Sequence, residues 1–197
     1  MLVFAIVEKI NAQIAIFCMR RMGVIAGDNI TIYGRPIVHM HQNSAIKIGK
    51  SVVLCSDSKR TALNLNHPVK LSTIAQGALL SIGDDTGISG ATLVAAKSIT
   101  IGKHVLLGAN VTIVDTDFHP IAPQNRRHSD DASKIAAAPV VVEDNVFVGA
   151  NSIILKGVTI GRDAVVAAGS VVTRGDYPEG AILAGNPAKV IGSVYEK

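Results

Sequence analysis

Residues 140–173 read VVVEDNVFVGANSIILKGVTIGRDAVVAAGSVVT, and their apolar positions recur every six residues. Val142, Val148, Ile154, Ile160, Val166 and Val172 make one register, and Val140, Val146, Ser152, Val158, Ala164 and Ser170 make a second. A period of six matches neither the 3.6-residue turn of an α-helix nor the strict alternation of a hairpin meander. It describes a short strand and a corner, repeated, so that three strands close a triangular coil and successive coils stack by parallel pairing about 4.8 Å apart. The aliphatic residue of each hexad should point inward, with a small residue beside it to relieve the corner.

The same pattern runs upstream through Ile101, Leu107 and Ile113, preceded two positions earlier by Ile99, Val105 and Val111. One coil before that, Ile82, Ile88 and Val94 are expected in the equivalent slots, and around Ile46, Ile48, Val52 and Leu54 the repeat is ragged. Composition agrees with a narrow interior: 48% of the 197 residues are hydrophobic, yet aromatics are 4% and Trp is absent. The length suits one domain. The expectation is an all-β protein, a parallel β-helix over residues 23–192, with a helix over 1–22 before it, an excursion loop at 115–139 and a tail at 193–197.

The first residues, MLVFAIVEKINAQIAIFCMRR, are apolar but interrupted by Glu8, Lys9, Asn11 and Gln13, and fall short of the ~20 apolar residues of a membrane span. Val3, Ile6, Val7, Ile10, Ile14, Phe17 and Cys18 recur at helical spacing, with Gly23 as a stop. This amphipathic helix is expected to pack on the body or on another subunit. Peripheral contact with a membrane is the other reading, disfavoured by the few cations on its polar face.

The net charge of +4 is scattered apart from the Arg20/Arg21 and Arg126/Arg127 pairs, which argues against nucleic acid as a partner. Two isolated cysteines, Cys18 and Cys55, give no disulfide framework and suit a reducing cytoplasm. The six histidines lack zinc-ligand spacing, so no metal is expected.

Where the hexads stop, the chain reads DTDFHPI over 115–121. Asp115, Asp117 and His119 are spaced by two, so in an extended segment they would project to one side, and either carboxylate could orient the imidazole. Imidazole titrates near neutrality and is the usual general base. The aspartates serve equally well as turn residues. Pro120 to Pro139 then forms a long polar loop in which Arg126 and Arg127 could clamp an anionic substrate or simply be solvated.

Three stretches carry a resemblance: ITIGKHVLLGANVTIVDTDFHPI, VFVGANSIILKGVTIGRDAVVAAGSVVT and AILAGNPAKVIG. Together they resemble the hexapeptide-repeat acetyltransferases of the maltose, galactoside, nodulation and capsular polysaccharide type. The resemblance implies a left-handed β-helix, a homotrimer and transfer of acetyl from acetyl-CoA to a hydroxyl of a sugar or glycan precursor, as in polysaccharide biosynthesis. It makes His119 the catalytic base and places the cofactor at Ala150, Ala168, Thr173, Arg174 and Lys189. Phe147 stands where the family commonly has Trp, and Gly192 where it often has a basic residue. On the acceptor side the nearest polar side chain is Ser89. N-acetylation of an amino sugar, serine-type acetylation and a scaffold without chemistry are the alternatives.

Overall fold

A computed structural model describes residues 2–129 and 131–196. The chain opens with α1, Leu2–Arg21, and then winds into a three-faced parallel β-helix. Face A stacks Ile25–Ala26, Ala45–Ile48, Leu79–Ile82, Ser98–Ile101, Val140–Val142, Val158–Ile160 and Gly175–Tyr177. Face B stacks Thr31–Tyr33, Val53–Cys55, Gly87–Ser89, Leu106–Leu107, Phe147–Val148, Val165–Val166 and Ala181–Gly185, and closes with Ala188–Ser193 folded back antiparallel. Face C stacks Ile37–Met40, Lys70–Thr73, Thr92–Ala95, Thr112–Val114, Ile153–Ile154 and Val171–Val172.

The hexad reading accounts for the core. Val142, Val148, Ile154, Ile160, Val166 and Val172 all have zero exposure. They pair coil on coil, Ile101 with Val142 and Val142 with Ile160 on face A, Leu107 with Val148 and Val148 with Val166 on face B. The second register is buried too, and its two serines satisfy backbone: Ser152 Oγ donates to the Ala167 carbonyl, and Gly185 N–H donates to Ser170 Oγ. Each aliphatic layer meets its copy above and below, which leaves little room for a ring and explains the aromatic-poor composition.

The corners are made by left-handed residues. On the A/B edge these are Asn29, Ser51, Asp85, His104, Asn145 and Asp163, all with φ of 55–60°. Asparagine and aspartate tolerate this region better than other side-chain-bearing residues. Beside them glycine is imposed by stacking: a Cβ on Gly83 would stand 2.4 Å from the Gly102 carbonyl oxygen of the next coil.

Two expectations change. The inward slot of the third coil belongs to Leu93, paired with Ile113, while Val94 pairs with Val114. Gly90, at φ 54°, makes a tighter corner there and moves the register by one. The raggedness near Ile46–Leu54 has a cause as well: those four residues are buried in regular coils, but residues 56–69 leave the wall as a second loop before Lys70–Thr73.

Helix α1 ends as Gly23 enters φ 94° and Val24 N–H reaches back to the Met19 carbonyl, a Schellman stop. It caps the open end of the β-helix with Ile16 and Met19, assisted by Ala12 and Ala15. The helix was expected to pack on the body or on another subunit; it packs on the body through Ile16 and Met19, while Ile10, Ile14 and Phe17 of the apolar stripe are 53%, 55% and 62% exposed within the single chain. The opposite side, Ile16 and Met19 with Ala12 and Ala15 beside them, takes the core-facing role. Val3, Ile6 and Val7 of that stripe lie outside the residues whose side chains are described.

Candidate functional site

The excursion begins where Thr112–Val114 reaches the C/A edge. Asp115 has zero exposure, and its two carboxylate oxygens accept the N–H groups of Ala96 and Lys97, each at 2.7 Å. These belong to the corner one coil below, so Asp115 ties the departing chain to the wall. Thr116 then bridges Ala137, Asp117 N–H donates to the Ala136 carbonyl, and Ala138 N–H donates to the Asp115 carbonyl. The loop's two ends thus leave as a short antiparallel ribbon.

The expectation that Asp115, Asp117 and His119 share one side is corrected here. Phe118 takes φ 62°, which breaks the extended alternation, and His119 N–H turns back to the Asp117 carbonyl at 2.7 Å. Asp115 faces inward to backbone donors, which leaves it no part in orienting the imidazole. His119 is exposed, and among the described residues its ring has no hydrogen-bond partner.

Asp117 is partly buried and pairs through Oδ1 with the ammonium of Lys156, from the corner of the coil above. Its Oδ2 is buried and has no hydrogen-bond partner among the described residues. Lys156 was not singled out from sequence, because a lysine between two hexads looks like any corner residue and only coil stacking brings it to Asp117. The stem of Arg174 crosses Gly157, so close that a Cβ there would lie 3.1 Å from Arg174 Cγ. His119, Lys156, Thr173 and Arg174 therefore share the C/A edge.

Ala150 and Ala168 lie on the B/C edge, where a Cβ on Gly149 would stand 2.5 Å from the Ala168 N. Glycine at 149 lets these two corners approach and leaves an edge lined by small residues. Ser89 begins the same edge, its carbonyl accepting Asn110 N–H. Lys189 sits at its top, exposed on the returning strand and paired with Ala184. The second loop lies over this edge: Asn66 N–H donates to Asn110 Oδ1, Asn110 Nδ2 donates to the Asn64 carbonyl, and Leu65 covers Gly90. Asn64, Asn66 and Asn110 were missed from sequence, since the loop interrupts the repeat far from the excursion.

Within one chain, face C separates His119 from Ser89, Ala150, Ala168 and Lys189. Arg126 and Arg127 begin a 3-10 turn in the outer loop, where Arg126 donates to the Ile121 carbonyl and both are exposed. Among the described residues no three His, Cys, Asp or Glu side chains gather as metal ligands, and both cysteines are free. No helix among them is long and apolar enough to cross a membrane.

Comparison with known proteins bears on the repeat and the fold. The profile described as the hexapeptide repeat of succinyl-transferase matches residues 98–116 and 139–174. A galactoside O-acetyltransferase of Lactococcus lactis is 42% identical over 99 residues, covering 50% of this chain and 45% of its own. A 2,3,4,5-tetrahydropyridine-2,6-dicarboxylate N-acetyltransferase of Staphylococcus aureus is 41% identical over 97 residues, covering 49% of this chain and 34% of its own. The chain thus spans less than half the length of these relatives. Among solved structures, a hexapeptide-repeat acetyltransferase from Vibrio cholerae is 33% identical over 64% of this chain and 72% of its own, with a TM-score of 0.52. A galactoside acetyltransferase in complex with coenzyme A is 25% identical over 86% of this chain and 64% of its own, with a TM-score of 0.53. Such proteins are left-handed parallel β-helices, and so is this one. The chain belongs to the hexapeptide-repeat acetyltransferase family.

Proposed function

We propose that this protein transfers the acetyl group of acetyl-CoA to a hydroxyl of a sugar or glycan precursor, with His119 as general base. The observation that carries this reading is an exposed, unpartnered imidazole on a ribbon anchored by Asp115 and Lys156, beside the cationic edge of Arg174. The acceptor hydroxyl attacks the thioester carbonyl while its proton passes to the imidazole; the thiolate then leaves and is protonated, releasing CoA. A positioned base supplies about 10²–10⁴-fold in rate, and corner N–H groups are suited to hold the oxyanion. Hydroxyl rather than amine acceptors are favoured by the galactoside O-acetyltransferase likeness, although an N-acetyltransferase is also a relative.

The working unit in this reading is a homotrimer, in which the C/A edge of one chain faces the B/C edge of the next. That places His119 against the neighbour's small-residue edge of Ala150 and Ala168, with Thr173, Arg174 and Lys189 toward the cofactor's phosphates. Ser89 and the Asn64–Asn66 loop then flank the acceptor, and Arg126 and Arg127 reach it from the excursion. Exposed Leu106 and Phe147, paired on face B at 55% and 46%, are apolar surface consistent with association.

The test is His119→Ala, assayed as thiol release over a panel of sugar acceptors. Turnover should fall at least about a hundredfold while CoA still raises the melting temperature. Near-normal turnover would place the base elsewhere, and no stabilisation of the parent protein by millimolar CoA would favour a scaffold.

A further inference from the structure

Helix α1 is apolar on two opposite sides. One is the core-facing set Ala12, Ala15, Ile16 and Met19; the other is Ile10, Ile14 and Phe17, one above another at i, i+4 and i+7 and open to solvent. A helix stripe of large apolar side chains left open to solvent marks a surface suited to a partner. The open side continues onto the first coil, where Met22, Ile25 and Ile37 are 48%, 62% and 47% exposed. Between helix and coil runs a groove of about 890 Å³, floored by Ile32 and Val38 and walled by Ile14, Met22 and Ile37.

Charge distinguishes among possible occupants. Arg20 and Arg21 close the last turn of α1, with the Arg21 guanidinium 5.9 Å from the Phe17 ring centroid. Arg35 and Lys59 line the groove, where Asp57 is the single lining carboxylate among the described residues and also caps the Lys59 N–H. The helix's own polar face is poor in cations; the fold supplies them from the first two coils. A second copy meeting this surface about a twofold axis would bring like charges together. A layer that is apolar within and negative at its surface complements both features.

We propose that the outward side of α1 and its neighbouring groove dock the protein on an anionic lipid bilayer, the helix lying in the interfacial plane. Ile10, Ile14 and Phe17 enter the acyl boundary, and Arg21, Arg35 and Lys59 meet the headgroup phosphates. The surface lies at the end of the β-helix opposite Lys189, so docking leaves the C-terminal coils facing away from the membrane.

Co-sedimentation of the full chain with phosphatidylcholine vesicles, with and without phosphatidylglycerol, tests this. Binding should require the anionic lipid and weaken as salt screens it. Ile14→Asp should reduce it at least tenfold, and Arg35→Glu with Lys59→Glu should do likewise, with thermal unfolding unchanged. Because the sequence contains no Trp, Phe17→Trp gives a single reporter whose emission should shift to the blue on anionic vesicles. Equal binding to both vesicle types, binding unaffected by Ile14→Asp, or a Phe17→Trp emission that stays put would overturn the proposal. So would a fall in assembly mass on Ile14→Asp without vesicle binding by the parent, which assigns the surface to contact between copies.

Discussion

Lys156 holds Asp117 in place, and Asp117 in turn receives the His119 backbone N–H at its carbonyl. In the proposed reading the pair acts through the ribbon that presents the imidazole, which makes both positioning residues. Lys156→Ala leaves a partly buried carboxylate without its cation, and Asp117→Asn removes the charge that Lys156 holds. Each should lower kcat about tenfold, about 1.4 kcal/mol, with the KM for acetyl-CoA little changed. Because they act as one unit, the double variant should be no slower than the worse single one. Additive losses would show that Lys156 and Asp117 contribute separately, and an effect confined to KM would place the pair in binding.

One side chain latches the end of the C-terminal strand, beyond its antiparallel pairing with Ala181–Gly185. The Tyr195 ring lies against Gly180, where an added Cβ would come within 2.3 Å of it, and its hydroxyl donates to Asp163 at 2.6 Å, with Glu179 Oε1 sharing the same proton at 3.1 Å. The hydrogen bond to Asp163 pushes the phenol above its ordinary range, and the same bond, with that from Asn145, holds the Asp163 carboxyl below its own. A lowered carboxyl contributes above the ordinary carboxylate value of 3.8 and is lost as pH falls through its depressed value. A raised phenol contributes below about pH 10 and is lost as pH climbs through its elevated value. The latch should therefore hold across neutrality and fray at both extremes, read as faster exchange of the Val194 amide, which donates to the Gly180 carbonyl. Tyr195→Phe should show that fraying at neutral pH and raise the KM for acetyl-CoA, because the same strand carries Lys189. Unchanged Val194 exchange in Tyr195→Phe would mean that the strand's pairing with Ala181–Gly185 suffices.

At the scale of the molecule, two loops leave different edges of one rigid prism. The excursion rises from C/A with His119, and the 56–69 loop lies over B/C beside Ser89. A trimer in which these edges meet has a distinctive consequence. His119→Ala and Lys189→Glu trimers should each be impaired, the first in kcat and the second in KM. Refolded together in equal amounts, they should recover about a quarter of the parent activity, since each site then draws its two intact residues from different chains with random probability. No recovery would place both residues in one chain's site, and a single-chain mass in sedimentation would remove the shared site altogether.

The period of six was sufficient for a stacked, three-faced parallel coil, because a stack of identical layers repeats its chemistry in the sequence: Val142 to Val172 could be assigned inward one by one, while the left hand came from the family likeness. The break at DTDFHPI was legible for the same reason, as the place where the repeat stops. Sequence could not show that the third coil shifts its slot to Leu93, since both Leu93 and Val94 are aliphatic and only the tightness of the Gly90 corner decides between them. Nor could it show that Asp115 turns inward and Asp117 toward Lys156. Alternation by two presumes an extended backbone, and Phe118 in the left-handed region abolishes it. The outward Ile10, Ile14 and Phe17 are as apolar as Ile16 and Met19, on which the helix seats, so spacing alone marks both sides as candidates and only the packing on the first coil decides between them. Spacing along the chain determined which residues recur; stacking between coils decided which of them meet.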